Sequence, residues 1–507
     1  MIRRVALAVL VVLVLAVAGC VGPAPRWSAP KPGGPAAPAA ATVNWRPCPD
    51  TARTALGRTP DNVTYECGKL NVPQDWANPN GGKQFGIALM RARATHQTNR
   101  IGSLVVNPGG PGGSGVDLAA YLSVGLPADV TQRFDIVGFD PRGVGASDRV
   151  KCFSDADLDA SFGADPDPVA QADFDKAVAL SRKMAQSCGT RYGDTLPLFS
   201  TEQAARDMDA IRAALGEPKL TYLGYSYGTL LGAVYAQLFP THVRALVLDG
   251  AIDPTLDSVA SAEGQAKGFE RAFDNFSAWC RSNASKCPIA PDARATVTSA
   301  MDSARRTPVT GSGGRAATAG WIQTAVVASL YSQEQWPQLA TALDNLRKGN
   351  ATGIFRLADS YAERDARGRY SNLFDANAAV NCADDANTPA VDKLRTLQSE
   401  WRQKYPLFGP SSALNLLCAQ WPGKRDPYPA GAAKGAPPIL VVGTTGDPAT
   451  PYEQTPKLAE TLGSGVVLTW QGEGHTAYPQ TRCISSAVNR YLTDLTVPAK
   501  GTSCPAS

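Results

Sequence analysis

Short apolar runs, each followed by a turn-forming residue, recur along the chain and predict the strands of a buried sheet. An unbroken run of this kind is typical of a strand that is covered on both faces, as in a mostly parallel sheet. Between the runs, apolar positions return at helical spacing, as they do after Thr229, which predicts helices that flank a central sheet. The runs occupy residues 102–107, 134–139, 220–223, 243–250, 438–443 and 463–470, and we expect the last of them to be the final strand.

Two regions depart from this alternation of strand and helix. Residues 64–73 and 86–91 read as antiparallel edge strands joined by a turn at 78–82. Residues 255–430 are helical in pattern and contain few strand-like runs. Because core strands lie on both sides of this long segment, it predicts a helical insertion that covers the sheet edge as a lid.

The sequence Gly224-Tyr225-Ser226-Tyr227-Gly228 lies between a predicted strand and a predicted helix. In that context the G-x-S-x-G spacing is typical of a nucleophile elbow, a turn so tight that only small residues fit beside the serine. The turn would present the Ser226 hydroxyl at the sheet edge, beside the first amides of the helix. The alternative is a glycine-flanked serine in an ordinary strand-to-helix turn.

A second glycine-rich turn, residues 107–115, follows the strand at 102–107. It could be a phosphate cradle, but the Lys-Ser/Thr pair of a P-loop is absent and no clear helix-plus-acid unit follows the glycines. In α/β-hydrolases the loop after the third strand supplies one amide of the oxyanion hole, and the residue after the nucleophile supplies the other. We therefore expect Gly110, with Gly109 as its neighbour, and Tyr227 to bind the oxyanion, since a Cβ in the loop would block the substrate carbonyl.

Residues 140–147 form a further turn after the strand at 134–139. We expect Arg142 to pair with a buried carboxylate and to hold the glycine loop. Asp140 could serve as a catalytic acid, but it precedes Ser226, against the usual order of nucleophile, acid and base.

Only three histidines are available as a general base. His96 lies in a polar loop and His242 precedes a strand, whereas His475 lies beside a glycine after the run at 463–470, where the base belongs. Asp447 follows the strand at 438–443, which is the position of the triad acid. Asp249, at the end of the strand at 243–250, is its rival for that role.

The composition excludes several other classes of function. The formal net charge is +4, and Arg3 and Arg4 near the N-terminus supply two of these charges. No basic run, zinc-finger spacing or aromatic-basic alternation indicates nucleic acid as a partner. Since C-x-x-C is also absent, we expect no zinc cluster or redox motif, and neither a metal nor an organic cofactor.

The first twenty residues indicate export. Arg3 and Arg4 precede an apolar run at 5–17, and the small residues before Cys20 are typical of a bacterial lipoprotein signal in which that cysteine is lipidated and becomes the new N-terminus. The alternatives are a plain secretory signal cut near Ala18 and a short anchor, although the run is short for a membrane span. The Pro-, Ala- and Gly-rich stretch that follows predicts a tether.

These features divide the chain into five parts. We predict a lipoprotein signal peptide at 1–19, a tether at 20–43, the first part of an α/β core at 44–254, a helical lid at 255–430 and the rest of the core at 431–507.

Export would place the ten cysteines other than Cys20 in an oxidising space. They fall in neighbouring pairs, and sequential pairing is the simplest prediction, although the sequence alone does not fix the connectivity. The pairs would be Cys48 with Cys67, Cys152 with Cys188, Cys280 with Cys287, Cys382 with Cys418, and Cys483 with Cys504.

Several of these motifs together resemble the secreted tripeptidyl aminopeptidases of actinobacteria, relatives of the prolyl iminopeptidases. The resemblance spans residues 45–504 and includes the paired cysteines and the helical insertion. One departure is Asn107, where prolyl iminopeptidases usually have histidine. The motifs are the turns at 107–115 and 140–147, the elbow at 224–228, the segment 446–451 and Gly474-His475-Thr476.

The resemblance implies an α/β-hydrolase fold and a membrane-anchored serine hydrolase that cleaves peptides from the N-terminus through Ser226, Asp447 and His475. Relatives of this kind are also often labelled carboxylesterases, so hydrolysis of short acyl esters is the alternative, and a non-catalytic binding lipoprotein is a third. We expect a monomer that faces the extracellular side of the membrane or is released from it, with the lipid as its only membrane contact.

Two acidic residues in the insertion, Asp384 and Asp385, lie next to Cys382. An aminopeptidase must bind the free α-ammonium of its substrate, and burying that cation without a partner is costly. We therefore expect these carboxylates to bind the substrate's N-terminus. The alternative is a solvated acidic loop.

Overall fold

The computed structural model describes residues 42–506, and the predictions for the signal peptide, for Cys20 and for most of the tether fall outside these residues. The apolar runs of the described part form one ten-stranded sheet, and a short hairpin of β8 and β9 lies apart from it. The strands are β1 (Arg46–Pro47), β2 (Val63–Pro73), β3 (Gln84–Ala94), β4 (Gly102–Asn107), β5 (Phe134–Phe139), β6 (Leu220–Tyr225), β7 (Val243–Asp249), β8 (Val309–Thr310), β9 (Ala316–Ala317), β10 (Ile439–Gly446), β11 (Gly465–Glu473) and β12 (Ser503–Cys504).

The strands of the large sheet lie in the order β1-β2-β3-β5-β4-β6-β7-β10-β11-β12. β1, β2 and β3 are antiparallel to their neighbours. From β5 to β12 every neighbouring pair is parallel. The expected mostly parallel sheet with antiparallel strands towards one edge is confirmed.

The helices fall into those that pack on the sheet and those of the long insertion between β7 and β10. Short 3₁₀ turns occur at Gly193–Phe199, Pro240–His242, Ser312–Gly314 and Gln333–Gln335. The α-helices before the insertion are α1 (Pro49–Leu56), α2 (Gly115–Gly125), α3 (Ala128–Thr131), α4 (Asp155–Gly163), α5 (Gln171–Tyr192), α6 (Thr201–Ala214) and α7 (Tyr227–Leu238). Those within and after it are α8 (Ser258–Ser282), α9 (Ala293–Arg306), α10 (Ala319–Leu330), α11 (Trp336–Arg347), α12 (Thr352–Ala362), α13 (Leu373–Asp384), α14 (Val391–Lys404), α15 (Gly409–Ala413), α16 (Leu416–Ala419), α17 (Gln454–Leu462) and α18 (Arg482–Asp494).

The two faces of the sheet bury separate apolar clusters. All six residues of β4 are buried, and their side chains alternate between the faces. Val105 belongs to the cluster that includes residues of α6 and α7, whereas Leu104 and Val106 belong to the cluster with residues of α2 and α18. The unbroken apolar runs in the sequence therefore reflect strands that are covered on both sides.

The final strand differs from the prediction. β11 is followed by the two-residue strand β12, which pairs with Thr469 and Trp470. Cys504 in this strand is bonded to Cys483 at the start of α18. A strand this short carries no hydrophobic pattern of its own, and this disulfide ties it to the rest of the core.

Helices α4 and α5 precede the elbow in sequence but contact the insertion. Asp375 in α13 accepts hydrogen bonds from the amides of Cys152 and Phe153, just before α4. Arg364, which follows α12, pairs with Asp159 in α4. The helical layer is thus built from two segments of the chain, which the sequence pattern did not indicate.

Candidate active site

The predicted nucleophile lies in a strained turn between β6 and α7. Ser226 has φ 55° and ψ −124°, a left-handed conformation that a residue with a Cβ adopts only when its surroundings enforce it. A Cβ on Gly224 would lie 2.4 Å from the Gly228 carbonyl oxygen, and one on Gly228 would lie 2.9 Å from the carbonyl oxygen of Asn107. Both glycines of the motif are therefore required by close backbone packing.

The predicted base and acid form a hydrogen-bonded pair. His475 Nδ1 lies 3.0 Å from one carboxylate oxygen of Asp447 and 2.9 Å from the other. Because Nδ1 is bound to this buried carboxylate, the ring presents Nε2 as its proton acceptor. Burial by itself lowers the pKa of His475, but the charge and the hydrogen bond of Asp447 outweigh it, so that the pKa lies above its ordinary value.

Asp447 is fully buried at the end of β10, and short-range hydrogen bonds fix its orientation. The amides of Ala449 and Thr450 each donate to one carboxylate oxygen at 2.9 Å. The Thr450 hydroxyl donates to the other oxygen at 3.0 Å. This role of Thr450 was not predicted, although a threonine three residues after an acid at a strand end is a signal that could have suggested it.

The rival acid, Asp249, lies close by without touching the imidazole. Its carboxylate accepts hydrogen bonds from the amides of Ala477 at 3.0 Å and Tyr478 at 2.7 Å, two and three residues after the base. Burial raises the pKa of Asp249 to about 7, although those amides and the nearby His475 act in the opposite direction. The geometry thus favours Asp447 as the acid that orients the base.

The elbow and the base loop both pack against Gly250. The Thr229 hydroxyl donates to the carbonyl of Ser226 at 2.7 Å and lies 3.5 Å from the carbonyl of Gly250. A Cβ on Gly250 would lie 3.1 Å from Cε1 of His475. The residue after β7 is therefore packed between the elbow and the imidazole.

The glycine loop that carries Gly110, one of the two expected oxyanion donors, packs against the elbow close to Tyr227, the other. Tyr227 is the first residue of α7, and neither its amide nor that of Gly110 donates a hydrogen bond to another described residue. Gly109 has φ +89°, and a Cβ there would lie 2.4 Å from the Tyr225 carbonyl oxygen and 2.8 Å from the Tyr227 nitrogen. The glycine loop can approach the elbow this closely only because it lacks side chains.

The glycine loop is held by Asp140 and Asn107. Asp140 accepts hydrogen bonds from the Ser114 hydroxyl and from the amide of Val116 at the start of α2. The side chain of Asn107 accepts the amide of Gly109 at 2.9 Å. Asn107, the departure from the prolyl iminopeptidase pattern, thus stabilises the loop in this chain.

Arg142 has a different role from the one expected. It pairs with Asp207, as predicted for a buried carboxylate, and both side chains are almost fully buried. Its other hydrogen bonds reach the backbone carbonyls of Pro73, Gln74 and Leu198, not the glycine loop. The expectation that Arg142 holds the glycine loop is wrong, because its side chain points towards β2 and α6.

The insertion contacts both loops that carry the base and the acid. The amide of His475 donates to the carbonyl of Tyr331 at 2.8 Å, and the Tyr331 ring packs edge-on against the imidazole at 5.3 Å. On the other side, Arg271 of α8 donates to the carbonyl of Asp447 at 3.2 Å, and Gln265 donates to that of Ala449 at 3.1 Å. These contacts join residues far apart in sequence and carry no local signal.

The structure separates the two acids predicted to bind substrate. Asp384 is the last residue of α13, and its carboxylate accepts the amide and the hydroxyl of Thr201 at 2.9 and 2.6 Å. That hydroxyl lies 2.6 Å from the phenol oxygen of Tyr227, which connects Asp384 to one of the two residues expected to bind the oxyanion. Asp385 instead binds the amide of Asn387 and the hydroxyl of Thr388 in the turn that follows.

The electrostatic setting of Asp384 is anionic. Burial raises the pKa of Asp384 to about 8, against the hydrogen bonds from Thr201, and the neighbouring Asp426 and Asp385 raise it further. Within residues 42–506, no lysine or arginine forms an ion pair with Asp384.

The predicted cysteine pairs are all present. The disulfides join Cys48 to Cys67, Cys152 to Cys188, Cys280 to Cys287, Cys382 to Cys418 and Cys483 to Cys504. Among the described residues, no group of histidine, cysteine and acidic side chains is arranged to hold a metal ion. None of the helices in this part of the chain combines the length and apolar character of a membrane span.

The chain is similar to known serine hydrolases along most of its length. Residues 405–504 match the family of TAP-like proteins. The chain is 38% identical to the serine protease Hip1 of Mycobacterium tuberculosis over 98% of this chain and 96% of that protein. It is also 38% identical to carboxylesterase B of M. tuberculosis, over 93% of this chain and 91% of that protein. It is 32% identical to the tripeptidyl aminopeptidase of Streptomyces lividans, over 92% of this chain and 87% of that protein.

Proposed function

This chain belongs to the TAP-like family of α/β-hydrolases, and from that premise we propose that it is a serine peptidase that removes short peptides from the N-terminus of its substrate. The observation that carries the proposal is the pairing of His475 with both carboxylate oxygens of Asp447, next to a serine held at positive φ. Three side chains in these roles, on the loops after β6, β10 and β11, are the arrangement that acyl transfer needs.

In the first step Ser226 attacks the scissile carbonyl carbon while Nε2 of His475 takes the hydroxyl proton. Asp447 stabilises the imidazolium that forms and holds the tautomer with the proton on Nδ1. The amides of Tyr227 and Gly110 bind the negative oxygen of the tetrahedral intermediate. Loss of one such donor typically raises the barrier by about 2.7 to 4 kcal/mol.

In the second half of the reaction, His475 donates its proton to the leaving amine as the C–N bond breaks, which leaves the peptide esterified to Ser226. A water molecule then attacks the ester and gives its proton to His475. Collapse of the second tetrahedral intermediate releases the acid and restores the Ser226 hydroxyl. The raised pKa of His475 makes it a stronger base when it takes the proton of Ser226 or of the water molecule.

The preference for a free N-terminus would come from Asp384. A substrate ammonium next to this carboxyl would favour its ionised form and supply the cation that the described side chains do not provide. Thr201 lies between Asp384 and the phenol of Tyr227, so the carboxylate would hold the amino end at a fixed distance from the reacting carbonyl. Asp385 would add charge from its position in the next turn.

The test measures the kinetics of a free tripeptide amide and of its N-acetylated form. Both substrates are given to the wild-type enzyme, to Asp384→Asn and to Asp385→Asn, which replaces the neighbouring acid. We expect the wild-type enzyme to prefer the free amine by about tenfold or more. Asp384→Asn should raise the KM of the free substrate only, whereas damage to the oxyanion hole through Thr201 would lower kcat on both substrates. Equal rates on free and acetylated substrates would contradict the aminopeptidase proposal.

A carboxylesterase is the second candidate, favoured by the 38% identity to a protein that bears that name. The same residues would cleave an ester, with an alkoxide in place of the amine as the leaving group. Higher kcat/KM on short p-nitrophenyl esters than on any peptidyl anilide would support this candidate. A third alternative is a binding lipoprotein without catalytic activity. A fluorophosphonate probe that fails to label Ser226, compared with Ser226→Ala as the unlabelled control, would support it.

We also propose that the enzyme is exported and anchored through lipid on Cys20. The basic start, the apolar run and the small residues before that cysteine support this proposal, and five disulfides are typical of an oxidising compartment. Cys20→Ala should move the enzyme from the membrane fraction to the medium or leave it unprocessed. An unchanged distribution would contradict lipid anchoring.

A further inference from the structure

Asp249, the last residue of β7, is bonded to the segments that carry both the nucleophile and the base. Its backbone carbonyl accepts the amide of Ser226 at 2.9 Å. Its carboxylate accepts the amides of Ala477 and Tyr478, immediately downstream of His475. One fully buried residue thus connects the two loops that must meet for proton transfer.

We propose that Asp249 is a positioning residue that fixes the base loop at the distance from Ser226 required for proton transfer. The inference rests on the proposed function, since it assumes that His475 and Ser226 react. Asp249 does not contact the imidazole through a hydrogen bond and so is not a second triad acid.

The base loop requires such a support because its backbone is strained. Gly474 has φ +115° and Thr476 has φ 69°, so the chain turns sharply on both sides of His475. For a β-branched residue this conformation is a true outlier and persists only where neighbouring groups enforce it. The amides that follow Thr476 are the ones that Asp249 binds, so the carboxylate fixes the turn at its strained end.

The remaining supports of the loop come from elsewhere. The amide of His475 is bound by the carbonyl of Tyr331 in the insertion, and the ring is bound by Asp447. Asp249 ties the loop to β7, whose last carbonyl also accepts the Ser226 amide, and the Tyr225 hydroxyl at the end of β6 donates to the carbonyl of Tyr478 at 3.2 Å. Loss of its carboxylate would therefore change the position of the base relative to the nucleophile, not the binding of substrate.

The charge of Asp249 provides a second readout. The ionisable groups that face it are His475, Asp447 and Tyr225, and no lysine or arginine among the described residues pairs with it. Its negative charge raises the pKa of His475. Replacing it with a neutral isostere should therefore lower the pKa of the base, which a purely structural support would not do.

The decisive variant is Asp249→Asn, with Asp375→Asn as the matched control. Asp375 is also fully buried and also accepts two consecutive backbone amides, those of Cys152 and Phe153, but it lies in α13 outside the triad. We expect Asp249→Asn to lower kcat by about tenfold to a hundredfold with KM within twofold, and to move the acid limb of kcat/KM to lower pH. Asp375→Asn should leave kcat and the limb unchanged.

A readout that needs no turnover separates this proposal from the proposed function. The chain has only three histidines, so labelling at Cε1 gives an interpretable NMR titration of His475. In Asp249→Asn the His475 titration should shift to lower pH even if no substrate is ever found. A folded Asp249→Asn with wild-type kcat and an unmoved His475 titration would overturn the proposal.

If Asp249→Asn does not fold, Asp249→Glu provides the test. The longer side chain keeps a carboxyl that can accept the amides of Ala477 and Tyr478 but moves it by one methylene, so kcat should fall while KM stays within twofold. Wild-type kcat in Asp249→Glu would overturn the proposal.

Discussion

At the scale of single residues, the chemistry depends on a few side chains whose environments differ sharply. Asp447 and Asp249 are both fully buried carboxylates at strand ends, yet one binds a ring nitrogen and the other binds backbone amides. The first can bond directly to an imidazolium as it forms, whereas the second holds the loop and acts on the ring only through its charge. The distinction lies in which hydrogen-bond donor each carboxylate meets and not in its burial.

This distinction gives the first prediction at the residue scale. Asp447→Asn should lower kcat by about four orders of magnitude with little change in KM, because the amide no longer holds the tautomer of His475 that accepts the serine proton. The measurement is kcat on a tripeptide anilide, with circular dichroism to verify the fold. If Asp447→Asn keeps near-full activity while Asp249→Asn lowers kcat by far more than a hundredfold, Asp249 is the triad acid and Asp447 is not.

Ser226, Asp447 and His475 could be proposed from the sequence because each follows a strand of the sheet within two residues. The position of Asp384 was not predictable in the same way. Its carboxylate binds the start of α6 through Thr201, a contact that spans 183 residues and leaves no periodic trace. The prediction for Arg142 was wrong for the same reason. A buried carboxylate partner was predicted and is Asp207, but the contacts of Arg142 with distant backbone carbonyls leave no signal in the sequence.

At the scale of elements, the insertion packs against the loops that carry Asp447 and His475. One face of α8, with Gln265, Gly268 and Arg271, packs on the loop that carries Asp447. A backbone bridge joins Ser332 after α10 to Gly474 before the base. A segment bonded in this way to both loops would disturb the triad if it opened as a rigid lid, so substrate entry should not require α8 to move.

Two glycines of α8 test this coupling. A Cβ on Gly268 would lie 2.4 Å from the carbonyl oxygen of Pro448, whereas one on Gly264 would meet nothing within 4 Å. Gly268→Ala should lower the free energy of unfolding by about 1 to 3 kcal/mol and should also lower kcat, because the Asp447 loop must shift. Gly264→Ala, one turn earlier, should raise stability by about 0.5 to 1 kcal/mol and leave kcat unchanged.

Urea denaturation and kcat on the same anilide decide between the outcomes. Wild-type kcat in Gly268→Ala would show that the acid loop is independent of the insertion. The helical character of residues 255–430 was readable from their pattern, but these contacts were not, since they depend on how two loops and a helix meet in space. The participation of α4 and α5 in the same layer was missed for that reason too.

At the scale of the whole molecule, the disulfides distribute covalent restraint over the core and the insertion. The loop that Cys152–Cys188 closes has a sequence separation of 36, against 7 for Cys280–Cys287. In the chain-entropy description a longer loop restricts the unfolded chain more. Serine replacement of the first pair should therefore destabilise the enzyme by about 1.5 kcal/mol more than replacement of the second.

Urea midpoints of the two double variants measure this difference, and peptide mapping without reduction verifies the pairing. The map should show Cys280 joined to Cys287 and Cys483 joined to Cys504. Thiols that react with iodoacetamide at these positions in the exported protein would contradict the oxidised state.

The stability of the whole enzyme should also depend on pH through its buried acids. The pKa values of Asp249 and Asp384 are raised to about 7 and about 8, mainly by burial, so the folded protein retains protons that the unfolded chain has released. The free energy of unfolding rises with pH where the unfolded state binds more protons than the native state. Here the native state binds more protons, so the free energy of unfolding falls as pH rises. The raised pKa of His475 acts in the same direction.

The free energy of unfolding should therefore fall between pH 6 and 8, by about 1 to 3 kcal/mol. Carboxylates with lowered pKa values, such as Asp135, are ionised in both states across this window and contribute no slope. Urea titrations at constant ionic strength measure the effect, and Asp384→Asn should flatten it because one retained proton is removed. A free energy of unfolding that rises from pH 6 to 8 would contradict this prediction. It would mean that Asp249 and Asp384 are already ionised in the folded enzyme and that a cation from the solvent or the substrate pairs with them.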